Sequence, residues 1–311
     1  MPVESAIRFG TDNSLVGIVS SPDRHSRQAD AFGVVLLNAG IIHRVGPHRM
    51  NVRLARALAQ QGATALRFDH AGIGDSPARK DALSFQDAAR AEVRQAIEWL
   101  RVHKGCSRFV LIGLCSGTLT SFRAAGENDR VVGMVLLNAL LEDATTLSDD
   151  VVNDTITRKV ARSYLADKVW SARSWAKLLK GGTDLRRVVG VVAARLKGLI
   201  AGPPLSAGGA DVLRQLDEMS GRGVATLFVF SDGGTVHEYF RASLGHGVRA
   251  LSKHAPITVE VLDRADHNFT ALEDQKRVEE LVTQWAMGLA PLPVAEPALG
   301  HGSRQSRWAR S

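Results

Sequence analysis

Cys115 has the sequence surroundings of a nucleophile. It lies at the centre of Gly113-Leu114-Cys115-Ser116-Gly117, between an apolar run that predicts a buried strand and a segment that predicts a helix. Glycines two residues before and after a central side chain are typical of a tight turn that holds this side chain clear of the sheet. The positive end of the following helix dipole stabilises a thiolate at such a place. The expected chemistry is nucleophilic attack.

Two other interpretations of this motif stay open. Ser116 also carries a nucleophile, but a pattern centred on it would put Leu114 and Thr118 where small residues are needed. The spacing therefore favours Cys115, with Ser116 as its successor. Cysteine is also among the residues most often buried, so Cys115 can instead be a small core side chain at the end of a strand.

The segments that would position Cys115 alternate between strand and helix. Strands over 3–9 and 15–19 predict an antiparallel hairpin at the start of the chain. Further strands are predicted over 31–37, 63–69, 108–114, 131–140, 224–230 and 257–262, with helices over 49–60, 84–100, 116–125 and 272–289 and another ending near 251. This order predicts an α/β fold with a mostly parallel, twisted sheet flanked by helices.

Residues 141–222 interrupt the alternation, because they carry helical patterns without a convincing strand. We therefore predict an α/β core formed by residues 1–140 and 223–289, with residues 141–222 as a helical cap. Residues 290–311 contain prolines, glycines and arginines without periodicity, which predicts a disordered basic tail.

Composition limits the classes of function. The chain has 311 residues, enough for a large α/β domain, and two cysteines, too few for a disulfide framework. A reducing cytoplasm is the expected compartment, since neither a secretion signal nor a membrane-spanning apolar stretch is recognisable. The histidines lack the paired spacing of metal ligands, and no dinucleotide-binding fingerprint opens the first crossover. We expect neither a metal nor a cofactor.

The net charge of +7 is concentrated in one part of the predicted cap. Residues 158–197 contain eleven Lys or Arg and two acids, Asp167 and Asp184. This basic segment is either a solvated helical face or a docking surface for an anionic partner such as coenzyme A (CoA) or an acidic acyl carrier protein. Because no nucleic-acid-binding motif accompanies it, we do not expect nucleic acid as a partner.

The order of four motifs resembles the α/β-hydrolase superfamily over residues 3–289. The motifs are the loop Asn38-Ala39-Gly40 after the third strand, the turn Asp69-x-x-Gly72-x-Gly74-x-Ser76 after the fourth, the turn at Cys115, and His267 after the last strand. The cysteine at the turn resembles dienelactone hydrolases, and the loop over 38–49 is similar to that of hydrolases associated with exosortase gene clusters. The resemblance implies an α/β-hydrolase fold with a helical cap inserted after the sixth strand.

The resemblance also implies acyl transfer through Cys115. Its thiolate would attack a carbonyl carbon, His267 would hold and return the proton, and an acyl-enzyme would pass its acyl group to water. Backbone N–H groups of Ile41 and Ser116 would form the oxyanion hole.

The chain departs from the family pattern at the acid that should orient His267. The residue at the family's position after the seventh strand is Gly234, which has no carboxylate. We expect Asp232 to take this role, and a cysteine nucleophile depends less on such an acid than a serine does. The alternatives are Glu238, Glu142 and Asp143.

Three functions are compatible with these residues. The first is hydrolysis of a small-molecule ester or thioester by an esterase or thioesterase. The second is transfer of the acyl group to an alcohol or amine, or an elimination, on a CoA-linked or carrier-protein-linked intermediate. The third is a non-catalytic binding protein, in keeping with the missing acid at Gly234. His43 and His48 are either substrate contacts or exposed loop residues.

Overall fold

The computed structural model describes residues 2–23, 31–141, 207–232 and 234–289. The strands are β1 Val3–Phe9, β2 Leu15–Ser21, β3 Ala31–Leu36, β4 Thr64–Asp69, β5 Cys106–Leu114, β6 Val131–Leu137, β7 Ala225–Ser231 and β8 Ile257–Leu262. The helices of the described part are α1 Met50–Gln60, α2 Phe85–Lys104, α3 Ser116–Gly126, α4 Ala207–Gly221, α5 Thr235–Ser243, α6 Gly245–Leu251 and α7 Leu272–Gly288. The strands form one eight-stranded sheet in the order β1-β2-β4-β3-β5-β6-β7-β8.

Strand pairing brings the ends of six strands to one edge. β1 and β2 form the predicted antiparallel hairpin, and β2 also pairs antiparallel with β4. From β4 to β8 all neighbouring pairs of the described sheet are parallel, so the predicted mostly parallel sheet is confirmed. The C-terminal ends of β3 to β8 form what we call the carboxyl edge, where ligands bind in folds of this kind.

The central strands β4 to β7 are buried on both faces of the sheet, as their nearly continuous apolar sequences require. In β5, Phe109 and Leu111 point into one buried cluster, whereas Val110 and Ile112 point into the other. The first cluster also contains residues of α2 to α6, and the second contains residues of α1 and α7. Successive side chains of the central strand therefore fix helices on opposite faces, which holds the end of β5 in place.

The side chain of Ser84 caps the N-terminus of helix α2. The Oγ of Ser84 accepts a 3.2 Å hydrogen bond from the N–H of Asp87 and donates a 2.7 Å hydrogen bond to its carboxylate. The side chains of Val93, Ile97 and Leu100 are spaced along one face and are buried in the core.

Most of the predicted cap lies outside the described residues, as do the basic segment over 158–197 and the predicted tail over 290–311. The described part of the cap region is α4, whose Val212, Leu216 and Met219 are buried in the first core cluster. Helix α4 therefore packs as part of the α/β core.

The described ranges contain neither a candidate membrane-spanning helix nor a candidate metal-binding cluster. No helix there is both long and apolar enough to cross a membrane. No group of three or more His, Cys, Asp or Glu side chains in those ranges is arranged to hold a metal ion.

Candidate active site

Cys115 occupies the turn between β5 and α3 in a backbone conformation that non-glycine residues seldom adopt. Its φ is 54° and its ψ is −119°. Its N–H donates a 3.0 Å hydrogen bond to the carbonyl of Leu137 at the end of β6, and its carbonyl accepts one from the N–H of Thr118. Such a conformation persists only where the surrounding structure holds it in place. Backbone strain of this kind is found mainly at functional sites. The turn over 113–117 is called the elbow below.

The two glycines of the elbow are required by close backbone contacts. A Cβ at Gly113 would lie 2.3 Å from the carbonyl oxygen of Gly117. A Cβ at Gly117 would lie 2.5 Å from the carbonyl oxygen of Asn38. Because Gly113 has no Cβ, α3 can pack close to β5. Because Gly117 has no Cβ, the loop after β3 can approach the elbow.

The two cysteines have different surroundings. Cys106 is buried at the start of β5, and burial raises the pKa of its thiol to about 11. Cys115 is partly exposed at the carboxyl edge. Of the two thiols, only that of Cys115 is placed to meet a ligand, and Cys106 provides an internal control for experiments on it.

The loop over 38–49, called the oxyanion loop below, contacts the elbow directly. The N–H of Gly40 donates a 2.7 Å hydrogen bond to Oγ of Ser116, and the N–H of Ile42 closes a turn on the carbonyl of Ala39. No acceptor among the described residues meets the N–H of Ile41 or of Ser116. The two N–H groups named by the sequence analysis are therefore unpaired in this part of the chain, and they lie beside the elbow.

A buried carboxylate anchors the oxyanion loop from below. Asp69, at the end of β4, accepts a 2.6 Å hydrogen bond from the N–H of Arg44 and an ion-paired hydrogen bond from its guanidinium. The same guanidinium contacts Asp75 at 2.6 Å, and the N–H of Asp75 donates to Asp69 at 3.0 Å. These charge-assisted hydrogen bonds to the buried Asp69 carboxylate hold the oxyanion loop and the loop that contains Asp75 in place at the end of β4.

Asn38 places an unpaired amide next to the elbow. Its side chain is 3% exposed, and neither its Oδ1 nor its Nδ2 has a hydrogen-bond partner in the described structure. A buried polar atom without a partner costs about 1–3 kcal/mol. Such a cost is relieved when water or a polar group of a ligand reaches the amide.

His267 lies in the loop after β8 and is partly buried. Burial lowers the pKa of its imidazole below the usual value of 6.5, and the neighbouring Asp266 carboxylate opposes this shift. The Asp266 carboxylate accepts hydrogen bonds from the N–H groups of Asn268 and Thr270, at 2.8 and 3.1 Å. These bonds hold the loop in a compact turn.

The main chains of Cys115 and His267 are connected through the end of β6. The N–H of Cys115 donates to the carbonyl of Leu137, and Nδ2 of the next residue, Asn138, donates a 2.8 Å hydrogen bond to the carbonyl of His267. Within the described residues, no hydrogen bond joins the imidazole of His267 to the thiol of Cys115. Both residues therefore lie at the carboxyl edge, on either side of the end of β6.

The structure does not join Asp232 to His267. The Asp232 side chain is exposed after β7, and its N–H donates to the carbonyl of Leu262. Its charge acts on the pKa of His237, whereas Asp266 is the carboxylate that acts on His267. No carboxylate among the described residues accepts a hydrogen bond from the His267 ring. The alternatives Glu142 and Asp143 lie outside the described residues.

Comparison with known proteins identifies the fold. The model of a family described as alpha/beta hydrolase fold matches residues 33–186. The chain has the α/β-hydrolase fold. No curated protein sequence matches it.

Solved structures of α/β-hydrolases cover nearly the whole chain. A dienelactone hydrolase from Anabaena variabilis superposes with a TM-score of 0.55 at 14% identity, covering 92% of this chain and 98% of that one. An esterase from Pyrococcus furiosus gives 0.53 at 15% identity, with 93% and 90% covered. A proline iminopeptidase from Mycobacterium smegmatis gives 0.53 at 15% identity, with 92% and 98% covered. At these identities the likeness shows the fold.

His43 and His48, the two histidines that the sequence offers as substrate contacts, lie in different surroundings. His43 is exposed, and its carbonyl accepts a hydrogen bond from the N–H of Gly46 within the oxyanion loop. His48 is also exposed, and its Nε2 lies 3.3 Å from Oγ1 of Thr270 in the His267 loop. His48 therefore connects the two loops that flank the elbow.

The sequence patterns do not predict that Asn138 and Arg44 support the candidate site. Asn138 is the first polar residue after a continuous apolar strand, and a lone amide at the end of a buried parallel strand is a signal for a role at the carboxyl edge. Arg44 gave no such signal, because its partner Asp69 is 25 residues away along the chain.

Proposed function

We propose that this chain is an acyl hydrolase, an esterase or thioesterase acting on a small molecule, that works through an acyl-enzyme on Cys115. The observation that carries the proposal is the partly exposed thiol, held at positive φ between two glycines whose contacts leave no room for a Cβ. Similar solved structures include a dienelactone hydrolase and an esterase, which supports hydrolysis as the class of reaction.

In the first half of the reaction, Sγ of Cys115 attacks the carbonyl carbon of the ester or thioester while the imidazole of His267 takes the thiol proton. The carbonyl oxygen becomes an oxyanion, which accepts hydrogen bonds from the unpaired N–H groups of Ile41 and Ser116. One such donor is worth about 3 kcal/mol in the transition state. The bond to the alcohol or thiol then breaks, and His267 gives its proton to this leaving group.

In the second half, His267 takes a proton from water, and the resulting hydroxide equivalent attacks the acyl carbon. The carbon–sulfur bond breaks, a carboxylic acid leaves, and the thiol recovers its proton from His267. The lowered pKa of His267 suits both halves, because it keeps the imidazole neutral and ready to accept a proton near pH 7. Asp232 is the proposed orienting acid if its loop moves toward His267 when substrate binds.

The test uses the full chain with a set of p-nitrophenyl esters and acyl thioesters of increasing chain length. We expect turnover that falls at least about 100-fold in Cys115→Ala and in His267→Ala. Cys106→Ala is the matched control, since Cys106 is buried away from the carboxyl edge, and it should retain activity. Full turnover by Cys115→Ala would overturn the proposal.

The charge of residues 158–197 favours a second candidate. With eleven basic residues against two acids, this segment would attract the phosphates of CoA or the acidic surface of a carrier protein. The same acyl-enzyme would then pass its acyl group to an alcohol or amine, or His267 would act as base in an elimination. A rate that falls steeply with salt for a carrier-linked thioester, but not for a neutral ester, would favour this candidate over simple hydrolysis.

A further inference from the structure

Asn138 makes four hydrogen bonds at the end of β6, and they connect β6 to β7 and to the His267 loop after β8. Its N–H donates to the carbonyl of Val229 at 2.8 Å. Its Oδ1 accepts from the N–H and the Oγ of Ser231, at 2.9 and 3.1 Å. Its Nδ2 donates to the carbonyl of His267 at 2.8 Å. One side chain therefore fixes the end of β7 and the His267 loop to the strand next to the elbow.

The Asn138 side chain has no freedom to take another orientation. It is 1% exposed, and its φ of 47° is a backbone conformation that asparagine tolerates better than most residues. With Oδ1 engaged by two donors of Ser231, the amide is locked with Nδ2 toward His267. The hydrogen bond to His267 is thus set by the core and does not depend on a mobile loop.

A short path of bonds connects the main chain of Cys115 to the main chain of His267. Cys115 is bonded to Leu137, Leu137 is followed by Asn138, and Asn138 is bonded to His267. Parallel neighbours such as β5 and β6 lie about 4.8 Å apart. Each step is either a covalent link or a hydrogen bond to a backbone carbonyl, so the position of the His267 carbonyl is fixed relative to the elbow.

We propose that Asn138 is a positioning residue that orients His267 toward Cys115 through the main chain of His267. In a typical triad an acid orients the histidine through its ring, and no described carboxylate makes that contact here. The inference rests on the proposed function, because it assumes that His267 serves Cys115. It adds that orientation comes from a neutral amide beneath the histidine loop.

The experiment measures alkylation of Cys115 by iodoacetamide against pH in the full chain, which needs no substrate. Peptide mapping separates Cys115 from the buried Cys106. The variant Asn138→Gly removes the side chain while allowing the positive φ. Ser231→Ala is the matched control, because it removes a contact of the same amide but leaves the hydrogen bond to His267. Thermal unfolding of each variant is measured in parallel.

We expect His267→Ala to slow alkylation of Cys115 near pH 7. Asn138→Gly should slow it about 10- to 100-fold and move its pH profile toward that of His267→Ala, since small misplacements of a proton acceptor have effects of this size. Ser231→Ala should lower the melting temperature but leave the pH profile of alkylation unchanged. This pattern separates orientation of His267 from general loss of stability.

An Asn138→Gly profile equal to that of the natural chain would overturn the positioning role and leave the proposed function standing. Equal rates for the natural chain and His267→Ala would contradict the activation of Cys115, and with it both proposals. If Asn138→Gly does not fold, Asn138→Ser takes its place, because it leaves a smaller cavity than glycine and its hydroxyl, one bond shorter than the amide, does not reach the carbonyl of His267. The expected result for that variant is the same.

Discussion

The main-chain N–H of Gly40 donates a 2.7 Å hydrogen bond to the hydroxyl of Ser116, the residue that follows the proposed nucleophile. The two residues are 76 positions apart, and the contact holds the oxyanion loop against the elbow. In the proposed mechanism Ser116 contributes in two ways: its N–H donates to the oxyanion, and its side chain holds the loop that carries the second donor, the N–H of Ile41.

Removing the Ser116 hydroxyl should slow the chemical step. A hydrogen bond of this kind is worth about 1 kcal/mol, so we expect Ser116→Ala to lower kcat about fivefold with little change in KM. Steady-state kinetics on the best ester substrate checks this. Ser121→Ala is the control, because Ser121 also lies on α3 but its hydroxyl donates to the carbonyl of Gly117 within the helix. Equal effects of the two substitutions would argue against a specific role for the Gly40 contact.

The elbow glycines should tolerate no larger residue. In Gly117→Ala the new methyl group would meet the carbonyl oxygen of Asn38, and backbone cannot move away as a flexible side chain can. We expect the free energy of unfolding to fall by about 1–3 kcal/mol, together with loss of activity. Urea unfolding measures the change.

Gly221→Ala provides the comparison for this prediction. Gly221 ends α4, and a Cβ there would meet nothing within 4 Å. Alanine should therefore leave stability unchanged or raise it by about 0.5–1 kcal/mol, because it favours the helix. Similar losses at Gly117 and Gly221 would contradict the account of the elbow.

The enzymatic activity should persist at pH values below the usual histidine pKa of 6.5. His267 must be neutral to accept the thiol proton, and burial lowers its pKa below 6.5 by disfavouring the charged form. The midpoint of the acid limb of kcat/KM therefore lies below pH 6.5, and activity is lost as pH falls through the lowered pKa. A pH profile of kcat/KM measures the limb, and an acid limb centred above pH 6.5 would contradict the assignment.

The N-terminal hairpin should make stability depend on pH through Glu4. Hydrogen bonds from Arg56, and further ones from Arg67 and Ser20, lower the pKa of Glu4 from 4.5 to about 2, against the effect of burial. Because the folded pKa is depressed, the contribution is complete above about pH 4.5 and is lost as pH falls toward 2. We expect Glu4→Gln to lower the free energy of unfolding by about 1–2 kcal/mol at pH 7, after allowance for partial exposure.

Glu98→Gln is the control for Glu4. Glu98 pairs with Arg101 on the exposed face of α2, so its loss should leave stability unchanged. The difference between Glu4→Gln and the natural chain should shrink as pH is lowered from 5 to 2, as followed by urea unfolding. A difference that is constant over this range would show that the effect is not electrostatic.

The sequence predicts the fold well because the fold rests on local patterns. Apolar runs such as 109–112 and the helical spacing of α2 are set by residues close together in the chain, and they are confirmed. The tight turn at Cys115 was predictable for the same reason, since its glycines are two residues away.

The supports of the candidate site were harder to predict, because they connect distant residues. Asn138 contacts His267 across 129 positions, and Arg44 contacts Asp69 across 25. Neither pair has a spacing pattern, so only the folded chain shows them. The orienting acid stays a prediction for a related reason: the expected position holds Gly234, and local patterns cannot choose among carboxylates that approach His267 from other loops.

In the proposed mechanism the acyl group of the substrate is bonded to Sγ of Cys115 during each cycle. The most direct measurement is acid quenching of the full chain during turnover of an acyl thioester, followed by peptide mapping by mass spectrometry. We predict the mass of the acyl group on the peptide that contains Cys115, its disappearance when substrate is exhausted, and no acyl group on the Cys106 position. Steady turnover with no acyl group on Cys115 at any quench time would contradict the account.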